Sequence, residues 1–371
     1  MSYLAGKIVL AVTAGAPNNG KGESTTAPVK QTRIRGRTYP YVSAQAFRRW
    51  LRDTMTAMGA TPSPTERVGK AQGKAQKATT GADPIRYPDD DLFGYMKATA
   101  KSDNEATTLR DTPFMVGTFL AVEPARPTED FGVMSRGISE PVLHAHEFYT
   151  ADLAAPFLID LPRIGTFTIP EANGAGKPNY LDEKSAMSLA DAVSAGATTT
   201  RFRGNTAIRL PLPARRERTA MLLEALAELT GGAKKALHYG DRTPALIAAI
   251  PMAGGVNPLG FFVDGAEDGS GLRVRADVLR EELTAWQGEW EAPVRIGWRP
   301  GFRDLARKQF DADAADLVDT GQVTVAHPRT MLRDLAGEIR SGQRDAWLDD
   351  PQRPRSSPSF SLEGLQHDPQ R

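Results

Sequence analysis

The chain of 371 residues contains no cysteine. That excludes disulfides, thiolate metal sites and a cysteine nucleophile, and it is compatible with a reducing cytoplasm. Long apolar runs are also missing. The N-terminal stretch Ile8 to Val12 is too short for a signal segment or a membrane span, so the sequence reads as a soluble, cytoplasmic protein without a membrane partner. A dominant charge is lacking too. The 46 basic residues nearly balance 45 acidic ones, for a net charge of +1, so no field of the whole molecule points to nucleic acid and any basic footprint must be local. What is abundant is apolar material, 40% of residues. That is enough for a sizeable core, in a chain longer than one core usually serves. No internal repeat is visible.

KIVLAVTA, Lys7 to Ala14, reads as a buried first strand, followed by a Gly-, Pro- and Asn-rich loop. TRIRGRTYPY reads as extended and basic, with Arg33, Arg35 and Arg37 alternating along one face of a strand. A helix follows. Ser43 is its expected N-cap, Val42 and Phe47 stand at the hydrophobic-staple spacing, and Gly59 ends it. Phe47, Trp50, Leu51, Met55 and Met58 form its apolar stripe.

Residues 60–82 are poor in large apolar side chains and read as a mobile insertion. Pro113 to Pro124 reads as a strand, Phe148 to Ile169 as a strand pair, and Glu171 to Asn205 as a polar insertion with a short helix near Leu181 to Val193. ARRERTAMLLEALAELTGG is the second clear helix, with Pro213 at its start and Gly231-Gly232 after its end. ALIAAIPM is a further strand, and Val278 to Trp290 and Thr330 to Arg340 are helices. Gln343 to Arg371 reads as a disordered tail. The order strand, helix, strand, strand pair, helix, strand is the skeleton of an α+β, ferredoxin-like unit with long insertions.

Five motifs carry possible chemistry. GAPNNGKG, Gly15 to Gly22, nearly spells a P-loop, but it lacks the hydroxyl after the lysine and the following helix. His144 and His146 would share one face of a strand without a third ligand. Asp89, Asp90 and Asp91 could bind Mg²⁺, but capping or solvation is the plainer reading. The basic window is the most informative. Lys30, Arg33, Arg35, Arg37, Arg48, Arg49 and Arg52 face a single acid, Asp53. Gln45, Arg48 and Arg52 share the helix face opposite the apolar stripe, at an N-terminus that is already electropositive. Such a face suits either a bound polyanion or plain solvation. GGAKKALHYGDRTP, Gly231 to Pro244, adds two glycines and Lys234-Lys235, which suit a phosphate chain.

YPYVSAQAFRRWLRDTM, DLFGYM, FGVMSRG with the HEFY-containing strand, and LLEALAELTGGAKKALHYGDRTP resemble, in this order, the backbone subunit of type I CRISPR Cascade complexes, nearest the DevR-type branch of type I-B systems. The resemblance runs from Lys7 to Val263. It implies an RRM-like core elaborated into palm, fingers and thumb. Residues 1–59 and 111–263 would form the palm, with the thumb near 129–147. Residues 60–110 would be a fingers-type insertion, 264–342 a C-terminal elaboration and 343–371 the tail.

The resemblance also implies a non-catalytic protein without cofactor or metal. Copies of it would polymerise along guide crRNA and present the spacer to target DNA, beside large, small and crRNA-end-binding subunits. The RNA contacts it implies are Ser43, Gln45, Arg48, Arg49, Arg52, Gly231, Gly232, Lys234 and Lys235, joined by Arg33, Arg35 and Arg136. The alternatives are a metal-dependent endoribonuclease using Asp89, Asp90 or Asp91, as in type III relatives, and a nucleic-acid-binding regulator, for which no helix-turn-helix pattern is visible.

Overall fold

A computed structural model describes residues 2–21, 26–68, 77–97, 108–135, 137, 140, 142–168, 192–266, 269 and 271–349. Its helices are α1 (Ala44–Ala57), α2 (Pro88–Phe93), α3 (Leu212–Ala227), α4 (Ala276–Ala285), α5 (Asp304–Asp313), α6 (Ala315–Asp319), α7 (Pro328–Arg340) and α8 (Asp345–Leu348).

The first strand, Tyr3–Gly15, lies at the centre of a large sheet. Leu4, Ile8, Leu10 and Val12 face one core while Ala5 and Val9 face another, so the two-residue period of the strand divides its side chains between two layers. It pairs antiparallel with Val142–Asp160 on one side and with Leu246–Met252 on the other. Beyond Val142–Asp160 come two short strands, Phe114–Val116 and Phe119–Ala121, where the sequence predicts one. The order across these strands, taken in chain sequence, is fourth, first, third, second, with α1 and α3 as the crossover helices. This is the ferredoxin-like arrangement within an α+β fold. Gly6 permits it locally. A Cβ there would fall 2.3 Å from the Phe157 ring and 2.2 Å from the Ala248 carbonyl oxygen, so only glycine lets the ring cross the strand.

The first core joins α1 (Phe47, Trp50, Leu51, Met55), α3 (Leu222, Leu223, Leu226) and α7 (Met331, Leu332, Leu335, Ile339) to the sheet. Packed between α1, α7 and the sheet, α3 buries Ala220, Leu222, Leu223, Leu226 and Ala227 together with Arg215 and Arg218 of its first turns. The opposite face carries the second core, in which Leu259, Phe262, Leu279, Phe310 and Trp298 pack together. Its helices and outer strands come from residues beyond the recognised segment. It also extends the sheet by Val294–Trp298 and, in parallel with it, Val323–Ala326.

Several expectations need correction. The basic stretch is not one strand but a hairpin, Gln31–Ile34 with Arg37–Val42, whose turn residues Arg35 and Gly36 both have positive φ, 49° and 77°. That pattern is the two-residue turn favoured by strand twist. Phe148 to Ile169 is not a strand pair either. One 19-residue strand, Val142–Asp160, runs through the sheet, and Thr166–Thr168 belongs to a separate three-stranded sheet with Asn205–Arg209 and Thr198–Phe202. Part of the supposed insertion 60–82 is a hairpin, Thr65–Val68 with Lys77–Thr80. The tail begins later than expected, because Trp347 and Leu348 of α8 are buried in the first core. The helix expected near Leu181 to Val193 lies, except for its last two residues, outside the described residues.

Candidate nucleic-acid interface

Ser43 caps α1 as the sequence requires. Its backbone is extended, and its Oγ accepts from the Ala46 N–H at 3.4 Å. The cap fixes the first turns and thereby aims Gln45, Arg48, Arg49 and Arg52. All four line one open groove of about 560 Å³, walled on the far side by Pro62 to Thr65 and Thr80 of the hairpin that follows α1.

The three arginines have different surroundings. Arg49 is exposed and pairs with Asp53, its Nε lying 2.9 Å from the carboxylate. Such an exposed i, i+4 pair is weak and easily exchanged for another anion. Arg48 is half-buried, and its Nε has no hydrogen-bond partner among the described residues. Burial, then the neighbouring Arg52, lower its pKa, yet a guanidinium keeps its proton, so this charge is unbalanced. Arg52 is committed to the fold. It donates to Asp89 Oδ2 (3.0 Å) and to the Gly94 carbonyl (3.0 Å), and it lies over the Phe93 ring. The sequence offered Asp53 as the only acid. Asp89 is 37 positions away, and no local spacing reveals it.

The second basic element lies against the first. Gly231 rests on Trp50 of α1, where an added Cβ would be 2.7 Å from the indole side chain, at φ +130°. Thr54 Oγ1 accepts from the Thr230 N–H at 3.0 Å. Gly232 (φ +93°) faces Pro17, whose carbonyl accepts from Ala233 N–H at 2.9 Å. Lys234 Nζ donates to the Ala27 carbonyl at 3.2 Å, and Lys235 is exposed. The packing therefore brings α1 and the Gly231 to Lys235 turn together across 180 residues. Arg33 and Arg35 are exposed but project from the hairpin at the sheet's edge rather than from the groove. Arg136 lies outside the described residues.

Asp89, Asp90 and Asp91 prove to be buried, not solvated caps. Asp91 receives Arg110 and, at 2.6 Å, Arg218, together with the Gly165 N–H. Asp90 accepts from Ser63 Oγ at 2.7 Å, and burial raises its pKa. Asp89 holds Arg52 and the Ser63 N–H. The three carboxylates tie α2 to α1, α3 and the neighbouring loops, and their ligands are arginines, backbone amides and the Ser63 hydroxyl. Among the described residues no group of three or more His, Asp or Glu is placed to hold a metal ion. His144 and His146 do share a face, with rings stacked at 6.3 Å, and His238 lies 4.9 Å from His146. The near-P-loop is pinned as a turn, with Gly20 N–H donating to Pro28 O and Lys30 N–H to Asn18 O.

The segment Glu129 to Glu147, where the resemblance places the thumb, contains a two-stranded hairpin, Thr128–Met134 paired with the start of Val142–Asp160. Phe131, Val133, Met134, Val142 and Leu143 are exposed on it. No helix among the described residues is long and apolar enough to cross a membrane.

No family model matches this chain, and no curated protein matches it in sequence. Among solved structures it is similar to a chain of a CRISPR RNA-guided surveillance complex, pre-nicking. The TM-score is 0.53 at 10% identity, over 91% of this chain and 100% of that one. It is also similar to a chain of a CRISPR RNA-guided surveillance complex with TM-score 0.48 at 11% identity, over 90% and 98%. The first of these likenesses establishes a shared fold along nearly the whole length of both chains.

Proposed function

We propose that this protein is the non-catalytic backbone subunit of a type I CRISPR Cascade complex, of the DevR-type I-B kind. Copies of it bind guide crRNA in series and hold the spacer for pairing with target DNA. The observation that carries the reading is the packing of the Gly231 to Lys235 turn on Trp50 of α1. It unites two basic, glycine-assisted segments, distant in sequence, on one side of a ferredoxin-like core. Fold likeness to a surveillance-complex chain supports the same reading.

In this role Arg48 and Arg49 neutralise phosphates along the groove, Lys235 and the turn's backbone hold a neighbouring stretch, and Ser43 and Arg52 keep the helix and groove in shape. Phosphate contacts position a strand without reading it, and base pairing supplies sequence recognition. The exposed hairpin at Thr128 to Phe148 acts as the thumb. Further copies and the large, small and crRNA-end-binding subunits are the protein partners.

The test is binding of purified protein to single-stranded RNAs of two unrelated sequences and several lengths. Affinity should be equal for the two sequences and should rise with length as successive copies add. RNA left intact after incubation with Mg²⁺ fits the reading. Cleavage of bound RNA, or an absence of binding at low salt, overturns it.

A further inference from the structure

Behind the glycine-lysine turn sits a buried arginine without a counter-ion. Arg242 is 3% exposed. Its Nη1 makes one long donation, 3.4 Å, to the carbonyl of Asp241. Its Nε and Nη2 are buried and have no hydrogen-bond partner among the described residues. The adjacent carboxylate is already taken, since Asp241 accepts from Thr243 N–H (2.8 Å) and Oγ1 (2.7 Å) and pairs with Arg299. Burial lowers the pKa of Arg242, but arginine does not give up its proton at any physiological pH. A buried charge without a partner opposes folding, so its presence calls for a ligand.

The surroundings narrow that ligand to an anion. A Cβ added at Gly232 would lie 3.3 Å from Nε, one at Gly15 would lie 3.6 Å from Nη2, and one at Gly240 would lie 2.6 Å from Nη1. Three glycine backbones therefore approach the guanidinium closely, and at Gly240 a side chain would press on Nη1. The Tyr149 hydroxyl, on the long strand, is also buried and partnerless among the described residues, and it feels the Arg242 charge. Two neighbouring groups thus carry donors with nothing to accept from them. The cover over them is the segment Gly231 to Gly240, which contains neither helix nor strand. Its two leading glycines sit at φ values open to glycine alone at low energy.

We propose that Arg242 is the inner seat for one phosphodiester of bound RNA. The Nε–Nη2 edge gives two parallel donors to two phosphate oxygens, the Tyr149 hydroxyl gives a third, and the part of the segment beyond Lys235 lifts to admit the strand while Gly231 stays seated on Trp50. This rests on the RNA-binding reading above and deepens it. It makes Arg242 an anchor that the spacing of basic residues does not reveal.

The experiment compares wild type, Arg242→Met and Arg242→Lys in three measurements. These are melting temperature without RNA, melting temperature with added inorganic phosphate, and affinity for two unrelated single-stranded RNAs over a salt series. Arg242→Met removes an unpaired buried charge at similar volume, so the free protein should melt at or above the wild-type temperature. Its RNA affinity should fall by about 10- to 100-fold, as for loss of hydrogen bonds to a charged group. Its salt slope should flatten by about 0.7. Arg242→Lys keeps the charge but not the two-pronged edge, so its affinity should fall between the two.

A lower melting temperature or failed folding in Arg242→Met overturns the proposal, because the arginine would then be holding the fold. Unchanged RNA affinity in a folded Arg242→Met overturns it alone. Stabilisation of wild type but not Arg242→Met by phosphate, with equal RNA affinity, overturns it in favour of a free anion. Wild type that binds no RNA overturns the proposed function and this inference together.

Discussion

Asp91 is fully buried and carries two arginines, Arg110 and Arg218, together with the Gly165 N–H. Both arginines also donate to backbone carbonyls, Arg110 to Thr166 and Arg218 to Pro84 and Ile85. Removing one member of such a cluster leaves uncompensated charge in a low dielectric. We predict that Asp91→Ala costs about 3–5 kcal/mol, measured by chemical denaturation. Arg49→Ala, at an exposed i, i+4 pair, should stay within about 0.5 kcal/mol of wild type. A loss below about 1 kcal/mol in Asp91→Ala would mean that the cluster relaxes or hydrates on mutation. The same contrast explains why residue roles were only partly legible. The basic window marked Arg48 and Arg49 as available charges. Nothing in the sequence separated them from Arg52, because its partner Asp89 arrives through tertiary folding. The Asp89 to Asp91 run looked like a cap or a metal cluster for the same reason, since its arginine partners are scattered between positions 52 and 218.

At the scale of elements, α1 was readable because its signals are local. Ser43 at the cap, the apolar stripe and Gly59 fix its two ends without help from the rest of the chain. Ser43→Ala should cost about 1 kcal/mol and Ser43→Gly only a few tenths, seen in thermal unfolding. If Ser43→Gly instead weakens RNA binding as severely as loss of an arginine, the hydroxyl meets RNA directly. The basic hairpin was misread because Arg35 at φ +49° is an uncommon choice for a two-residue turn; the register pairs Ile34 with Arg37 and so turns Arg33 and Arg37 to opposite faces. The turn after α3 is the element most sensitive to a small change. Gly231→Ala would place a methyl 2.7 Å from the Trp50 side chain at φ +130°. It should destabilise the protein by about 1–3 kcal/mol and weaken RNA binding by moving the turn off α1, measured by denaturation and RNA titration. A variant with wild-type stability would show that the turn can shift without loss.

For the whole molecule, both crossover helices and the apolar first and fourth core strands were legible from local signals, whereas the third core strand was misread as a pair. The layer behind the sheet was not legible. Val294–Trp298 alternates correctly, with Val294, Ile296 and Trp298 inward, but five residues are too few to stand out beside the Pro300-Gly301 turn. Neutrality of the chain has a structural cause as well. Many arginines are consumed by internal pairs, such as Arg163 and Arg203 on Asp160 and Arg340 on Glu217 and Glu224. On the proposed function, RNA affinity then comes from a few local charges, and its salt dependence should count them. For single-stranded nucleic acid the slope of log affinity against log salt is about −0.7 per phosphate neutralised. Arg48→Ala with Arg49→Ala should therefore flatten the slope by up to about 1.4 units, less where Asp53 already shares Arg49. The loss should be equal for unrelated guides, and folding should stay intact. Adding Arg52→Ala should not extend the trend in the same way, because it strands the buried Asp89 carboxylate and lowers stability first. A slope unchanged in the double variant, or a loss confined to one guide sequence, would assign these arginines a role other than neutralising the RNA backbone.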